Sequence, residues 1–211
     1  MWSYEKRLQF PVNIKEPNAK LAQIIMSQYG GPDGEMGASL RYLSQRYSTP
    51  YREVAGLLTD IGTEELAHLE MVAAIVHQLT RNLSMEEIEA QGFAPYYTDH
   101  TVGIWPQAAG GVPFNACEFQ SKGDIITDLF EDLGAEQKAR TTYDNILRLI
   151  KDPDVCEPIK FLRQREIVHF QRFGEALRLT QEKLNSKNFY AVNPGFDTMK
   201  CDNNMVKKCT C

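Results

Sequence analysis

Two stretches of the chain carry the same four-residue arrangement, Glu65-Leu66-Ala67-His68 and Glu166-Ile167-Val168-His169. On a helix, residues three apart share a face, so each acid and its imidazole can point at one centre. In both cases that face is otherwise apolar. Leu58, Ile61, Glu65, His68, Val72 and Val76 form one helical stripe, and Ile159, Leu162, Glu166, His169, Phe173 and Leu177 form another. The stripes should face a core, where a carboxylate without a partner costs several kcal/mol. Coordination of metal ions by the acids and imidazoles removes that cost. A lone pair of this kind is more often a surface acid beside a satisfied histidine; the weight here comes from repetition.

Two further acids complete a pattern. Glu35 follows a Gly-Gly-Pro interruption and lies seven residues before Tyr42. Glu136 shares a stripe with Leu129, Leu133 and Tyr143. Glu65 follows Glu35 by 30 residues, as Glu166 follows Glu136, and Glu136, Glu166 and His169 each lie 101 residues after Glu35, Glu65 and His68. A repeated Glu then Glu-x-x-His layout is the ligand pattern of dinuclear carboxylate proteins. The other candidates read differently. His77 and His100 read as surface or outer-layer residues, Glu64 and Glu70 as solvated acids, and Asp128 and Asp132 as an exposed helix face or, alternatively, as lining an approach to the site. Arg140, one turn after Glu136, is a candidate partner for a ligand carboxylate.

These residues need four helices to position them. Helical periodicity runs from about Asn18 to Tyr47, with a kink or break expected at Gly30-Gly31-Pro32. It resumes from about Tyr51 to Leu79, then from about Gly123 to Lys151, and from the Asp152-Pro153-Asp154 boundary to about Leu184. Residues 80–122 hold one short helical candidate, Met85 to Gln91, and a Pro- and Gly-rich stretch from Trp105 to Phe114. Short, long and short connections join two antiparallel hairpins by a crossover. The expected fold is all-α, a ferritin-like four-helix bundle with a long crossover between helices two and three. It occupies residues 1–185, with 186–211 as an extended Cys-containing tail.

Bulk properties fit that fold. The chain has 211 residues, 43% hydrophobic and 24% charged, with a net charge of -5. The mild acidity and the lack of a dense Lys/Arg run before the last few residues argue against nucleic acid. No apolar run reaches the ~18 residues of a membrane span. The start, with Glu5, Lys6 and Arg7 and no apolar stretch behind them, does not read as a signal peptide, so the expected location is the cytoplasm. Of five cysteines, Cys117 and Cys156 read as packed or free thiols. Cys201, Cys209 and Cys211 crowd the tail without metal-site spacing, and could cross-link to neighbours under oxidising conditions.

At these residues the sequence resembles the manganese catalases, and among them the short, spore-coat-associated members. The stretches that carry the resemblance are GGPDGEMGASLRYLSQRY from Gly30, LLTDIGTEELAHLEM from Leu57, AAGGVPF from Ala108, AEQKARTTY from Ala135 and KFLRQREIVHFQRFGEAL from Lys160. The opening MWSYEKRLQFPV is similar as well. The resemblance implies two manganese ions per subunit, with iron the alternative. Glu35 and His68 would serve one ion, Glu136 and His169 the other, and Glu65 would bridge. Glu166 would stand off the metals and transfer protons. It implies hydrogen peroxide as substrate, a hexamer-like homo-oligomer, and incorporation in the spore coat beside other coat proteins. Larger members of the family place a basic residue beside the third-helix Glu, where this chain has Ala135. Three rivals share parts of the pattern. A di-iron ferroxidase would use nearly the same ligands. A rubrerythrin-like peroxidase would want a four-Cys iron site, which is missing from the sequence. A structural coat component could retain the metal site and cross-link through its tail.

Overall fold

The computed structural model describes residues 7–184, and at 118 and 119 the backbone alone. The chain forms α1 (Ala19–Ile25), α2 (Ser27–Gly30), α3 (Glu35–Gln45), α4 (Arg52–Thr80), α5 (Met85–Ala90), α6 (Ala94–His100), a 3-10 turn (Ala116–Phe119), α7 (Ile125–Leu149) and α8 (Pro153–Leu184). Local chemistry sets several of these ends. The Asn18 side chain accepts from the Leu21 N–H at 3.0 Å, and that of Asp124 from Thr127 N–H at 2.8 Å. Ser84 and Glu87 close a reciprocal capping box on α5. Pro153 opens α8, where its missing N–H costs nothing.

The first long helix is not merely kinked; it is three helices. A Cβ on Gly30 would stand 2.4 Å from the Pro106 carbonyl carbon and 2.5 Å from the Gln107 nitrogen, so the crossover backbone lies directly on the break. A Cβ on Gly31 would meet the Ser27 carbonyl oxygen at 2.4 Å. Only glycine fits either place. The break restarts the chain so that Glu35 is the first residue of α3, with Gly34 as its cap.

Two apolar clusters fill the interior. One collects Ala19, Ala22, Ile25 and Met26 with Met71 to Leu79, Tyr143, Ile146, Val155, Ile159 and Leu162. The other collects Tyr42 with Val54, Leu58, Ile61, Ile125, Ile126, Leu129, Phe173, Ala176 and Leu177. Each long helix therefore passes from one cluster to the other. The strand of helices α1–α3 and α8 leave the first cluster for the second, whereas α4 and α7 run the opposite way. α3 packs on α4, and α7 on α8, as antiparallel hairpins, with α4 against α8 and α3 against α7 closing the bundle. Because α4 and α7 run parallel, a tight turn cannot join them. Residues 81–124 must return the chain to the far end, carrying α5, α6, the 3-10 turn and an isolated bridge between Gln107 and Pro113. The ferritin-like bundle and its long crossover are thus as the sequence indicated. The expected tail, 186–211, lies outside the described residues. No described helix is long and apolar enough to cross a membrane.

Candidate metal centre

The layer between the two clusters is polar. Glu35, Glu65, His68, Glu136, Glu166 and His169, the six residues expected from spacing, are all at most 3% exposed and come from four different helices. One ligand atom from each of Glu65, His68, Glu166 and His169 lies within 4.8 Å of the others. The two imidazoles stack at 5.4 Å between centroids, 21° from parallel.

Glu65 stands between them. Its Oε2 is 2.7 Å from His68 Nδ1 and its Oε1 is 2.9 Å from His169 Nδ1. The flanking acids repeat the arrangement. Glu35 Oε2 is 3.7 Å from His68 Nδ1, and Glu136 Oε2 is 3.6 Å from His169 Nδ1. Two equivalent sets result, each of one flanking acid, one imidazole Nδ1 and one oxygen of Glu65. Glu166 lies beside both sets, with one oxygen within 4.8 Å of ligand-type atoms of Glu65, His68 and His169.

Tyrosines hold the flanking acids from behind, in reciprocal fashion. Tyr42 on α3 donates to Glu136 on α7, and Tyr143 on α7 donates to Glu35 on α3. The two tyrosines are 101 positions apart, the same offset that relates the acids and imidazoles of the two hairpins. Burial, then the neighbouring Glu136 and Glu35 charges respectively, push both phenols well above their ordinary pKa, so each remains a donor.

Four buried carboxylates and two imidazoles need positive charge. Without metal, protons take that place. Burial and the Glu65 charge, against a lowering pull from His68, bring Glu35 up to about 7, and burial with the Glu65 charge also raises Glu136. Burial and the charges of Glu35, Glu136 and Glu65 push Glu166 well above the carboxylate range. Burial would lift Glu65 too, but the two imidazoles outweigh it and hold that acid below its usual range. Burial likewise opposes charge on His68 and His169, yet Glu65 and the other acids raise both. Several ligand-type atoms remain unpartnered: Glu65 Oε1, Glu136 Oε2, Glu166 Oε1, His68 Nε2 and His169 Nδ1. His169 Nδ1 and Glu65 Oε1 are close but not aligned as a hydrogen bond. Buried polar atoms are rarely left this way. An oxygen and nitrogen donor set of this charge fits divalent manganese or iron.

Several outer residues differ from expectation. Glu64 is not solvated: its side chain is 15% exposed and receives Arg165, Gln9 and His169. Glu70 is half-buried. Asp128 and Asp132 do not line an exposed face, being 1% and 0% exposed. Asp128 accepts from the Lys122 and Gly123 N–H groups at 2.7 and 3.0 Å, bracketing the loop before α7. Asp132 accepts from Gln45 at 2.9 Å. Arg140 reaches no ligand acid; it pairs with Asp144 at 2.6 Å and Gln137 at 2.9 Å, because α7 turns it outward. His77 is exposed, and His100 stacks on Trp105 at 4.6 Å, away from the centre. Cys117 and Cys156 are free thiols. The sequence reading missed the roles of Tyr42, Tyr143 and Glu64. The 101-residue offset could have found them, since it also relates Tyr42 to Tyr143 and Glu64 to Arg165.

Comparison with known proteins agrees with this geometry. The family described as manganese containing catalase matches residues 1–195. Protein CotJC of Bacillus subtilis is 48% identical over 190 residues, covering 90% of this chain and all of that one. A Clostridium acetobutylicum protein named "Probable manganese catalase" is 31% identical over 90% of this chain and 85% of its own. The crystal structure of KatB, a manganese catalase from Anabaena, superposes with a TM-score of 0.82 at 32% identity, covering 92% of this chain and 87% of that chain. With two hairpins delivering matched sets of acids and imidazoles and these relatives spanning nearly its whole length, the chain belongs to the manganese catalase family, as the resemblance in its sequence implied.

Proposed function

We propose that the protein disproportionates hydrogen peroxide, turning two H2O2 into two H2O and one O2, at a dinuclear manganese centre. The observation that carries this reading is Glu65, whose two oxygens face the Nδ1 atoms of two different imidazoles at 2.7 and 2.9 Å. A carboxylate shared in this way suits two cations rather than one. Glu35, His68 and one oxygen of Glu65 would hold the first, and Glu136, His169 and the other oxygen the second. When bound, the metal pair supplies the two electrons that one peroxide accepts and takes up the two that the next releases.

The chain's own residues do the rest. Tyr42 and Tyr143 fix the flanking acids by hydrogen bonds, so neither is free to swing. The apolar clusters on both sides keep bulk water from the layer. Glu166 is the proton carrier. It is 3% exposed, one of its oxygens lies within 4.8 Å of ligand-type atoms of Glu65, His68 and His169, and its Oε1 has no hydrogen-bond partner. Buried beside the acids and imidazoles, it is placed to give a proton to one peroxide and take one from the next.

Replacing Glu166 with Gln should leave two metals per chain by elemental analysis while oxygen release falls by at least about a hundredfold. Oxygen evolution at the wild-type rate would remove Glu166 from this role. Metal analysis paired with an oxygen electrode on one sample also separates the manganese reading from a di-iron one. The resemblance of the sequence to the short, spore-coat-associated members of the family motivates a second proposal, that the protein assembles as a homo-oligomer within a spore coat, having been made in the cytoplasm. A metal-filled protein that evolves no oxygen from peroxide would leave that structural role standing alone.

A further inference from the structure

The imidazoles have a second side. His68 and His169 turn Nδ1 inward, toward the shared Glu65, and turn Nε2 outward, toward one carboxylate, Glu64. His169 Nε2 is 3.1 Å from Glu64 Oε2 and makes a hydrogen bond. His68 Nε2 is 3.6 Å from Glu64 Oε1; it is fully buried and has no hydrogen-bond partner. Glu64 precedes Glu65 on α4, so it is turned about 100° around the helix from the shared ligand and lies one turn before His68. It therefore approaches both rings from outside the metal layer.

Glu64 is itself held. Arg165 on α8 forks onto it, Nε to Oε1 at 2.7 Å and Nη2 to Oε2 at 3.1 Å, and Gln9 adds a third donor to Oε1 at 2.7 Å. Arg165 lies 101 residues after Glu64. These are equivalent positions of the two hairpins, one acidic and one basic, meeting where the hairpins face each other. A carboxylate offers about four lone-pair sites. Arg165, Gln9 and His169 occupy that number, which explains why His68 stands just outside hydrogen-bonding distance.

A neutral imidazole has one N–H and one bare nitrogen, and the hydrogen bond made by the N–H decides which nitrogen is bare. We propose that Glu64 is a positioning residue: it accepts from the Nε2–H of His169 and faces that of His68 at 3.6 Å, so presenting both Nδ1 atoms to the metals. One carboxylate would thus align two rings on two helices, with Arg165 fixing its plane. The inference rests on the dinuclear reading above.

Chelator-competition titration of the full chain with Mn2+ tests it, read as the apparent affinity of folded protein well below its thermal midpoint. Glu64→Gln should weaken that affinity about 10- to 100-fold, the usual effect of losing an outer hydrogen-bond partner of a ligating histidine. The Mn2+ electron paramagnetic resonance line shape should change with it. A role confined to tying α4 to α8 through Arg165 predicts instead a lower thermal midpoint of metal-free protein with affinity unchanged. Affinity and line shape like those of the wild type in folded Glu64→Gln would overturn the inference. Should that variant not fold, Glu64→Asp decides. It keeps the charge while withdrawing the carboxylate by one methylene, and the inference requires about a tenfold loss; no loss overturns it. If wild-type protein binds no metal, the dinuclear reading fails and this inference with it. If wild type binds two ions and both variants match it, Glu64 alone is misassigned.

Discussion

Tyr42 and Tyr143 each give a phenolic hydrogen to an acid on the opposite hairpin, and both tyrosines are fully buried. Tyr42→Phe and Tyr143→Phe keep the ring and remove only the hydroxyl. Each leaves one buried carboxylate oxygen without its donor, and hydrogen bonds to charged groups are worth about 1.5–3 kcal/mol. Chemical denaturation of each variant should show a loss in that range, similar for the two because the contacts are related by the same offset. A loss confined to one of them would mean that the hairpins are not equivalent around the metal layer. These residues also show how far the sequence can be read. Carboxylate and imidazole types at helical spacing announce ligands, since a buried acid has few other uses. A tyrosine on an apolar stripe looks like ordinary core, because its ring is core and only its hydroxyl is not. Glu64 was hidden for the opposite reason. Its stripe faces outward by periodicity, and only the bundle brings Arg165, His68 and His169 to it. Asp128 and Asp132 misled likewise, as Asp128 is covered by the loop that folds back just before its own helix and Asp132 by Gln45 from α3.

At the scale of elements, the four long periodic segments were legible because each alternates between core and surface over many turns. Of the crossover, its length and the short helix at Met85 were legible, whereas α6 and the 3-10 turn were not, since they take their shape from what they lie on. The crossover's contact with the first helix is the least forgiving in the fold. Gly30→Ala would drive a methyl group into the Pro106 and Gln107 backbone, at 2.4 and 2.5 Å. Backbone neighbours cannot rotate aside as a side chain can. Overpacking typically costs about 1–3 kcal/mol, and the upper part of that range is expected here. The same change should weaken metal binding, because the Gly-Gly-Pro break is what starts α3 at Glu35. Gly56 provides the control. Nothing lies within 4 Å of a Cβ there, so Gly56→Ala in the helix interior should stabilise by about 0.5–1 kcal/mol. Equal effects at the two glycines, by urea titration, would show that the crossover does not press on the break.

Taken whole, the molecule is two apolar cores separated by a layer of charge, and that layer makes its stability depend on pH and on metal together. In metal-free protein Glu35 titrates near 7 instead of 4.5, with Glu136 and Glu166 raised as well. A carboxyl raised by folding binds its proton more tightly in the folded state, so its contribution is full at low pH and lost as pH climbs through the folded value. His68 and His169 are raised by the acids around them, so their contribution is present below 6.5 and is lost as pH rises beyond it. Glu64 and Glu65, held low, act in the opposite sense but only below the ordinary carboxylate range, about pH 4–5. Between about pH 5 and 8 the shifts in the metal layer agree, and the thermal midpoint of metal-free protein should fall as pH rises. Metal reverses the trend. Cations displace these protons, so binding strengthens with pH, and ligand that binds only the folded state adds stability as the logarithm of one plus its concentration divided by its Kd. Thermal melts with chelator and with excess Mn2+ across that range should therefore diverge, the gap between them widening toward pH 8. Parallel curves would mean that the buried acids and imidazoles are not where the metal goes, and the chemistry assigned to this layer would have to be placed elsewhere in the bundle.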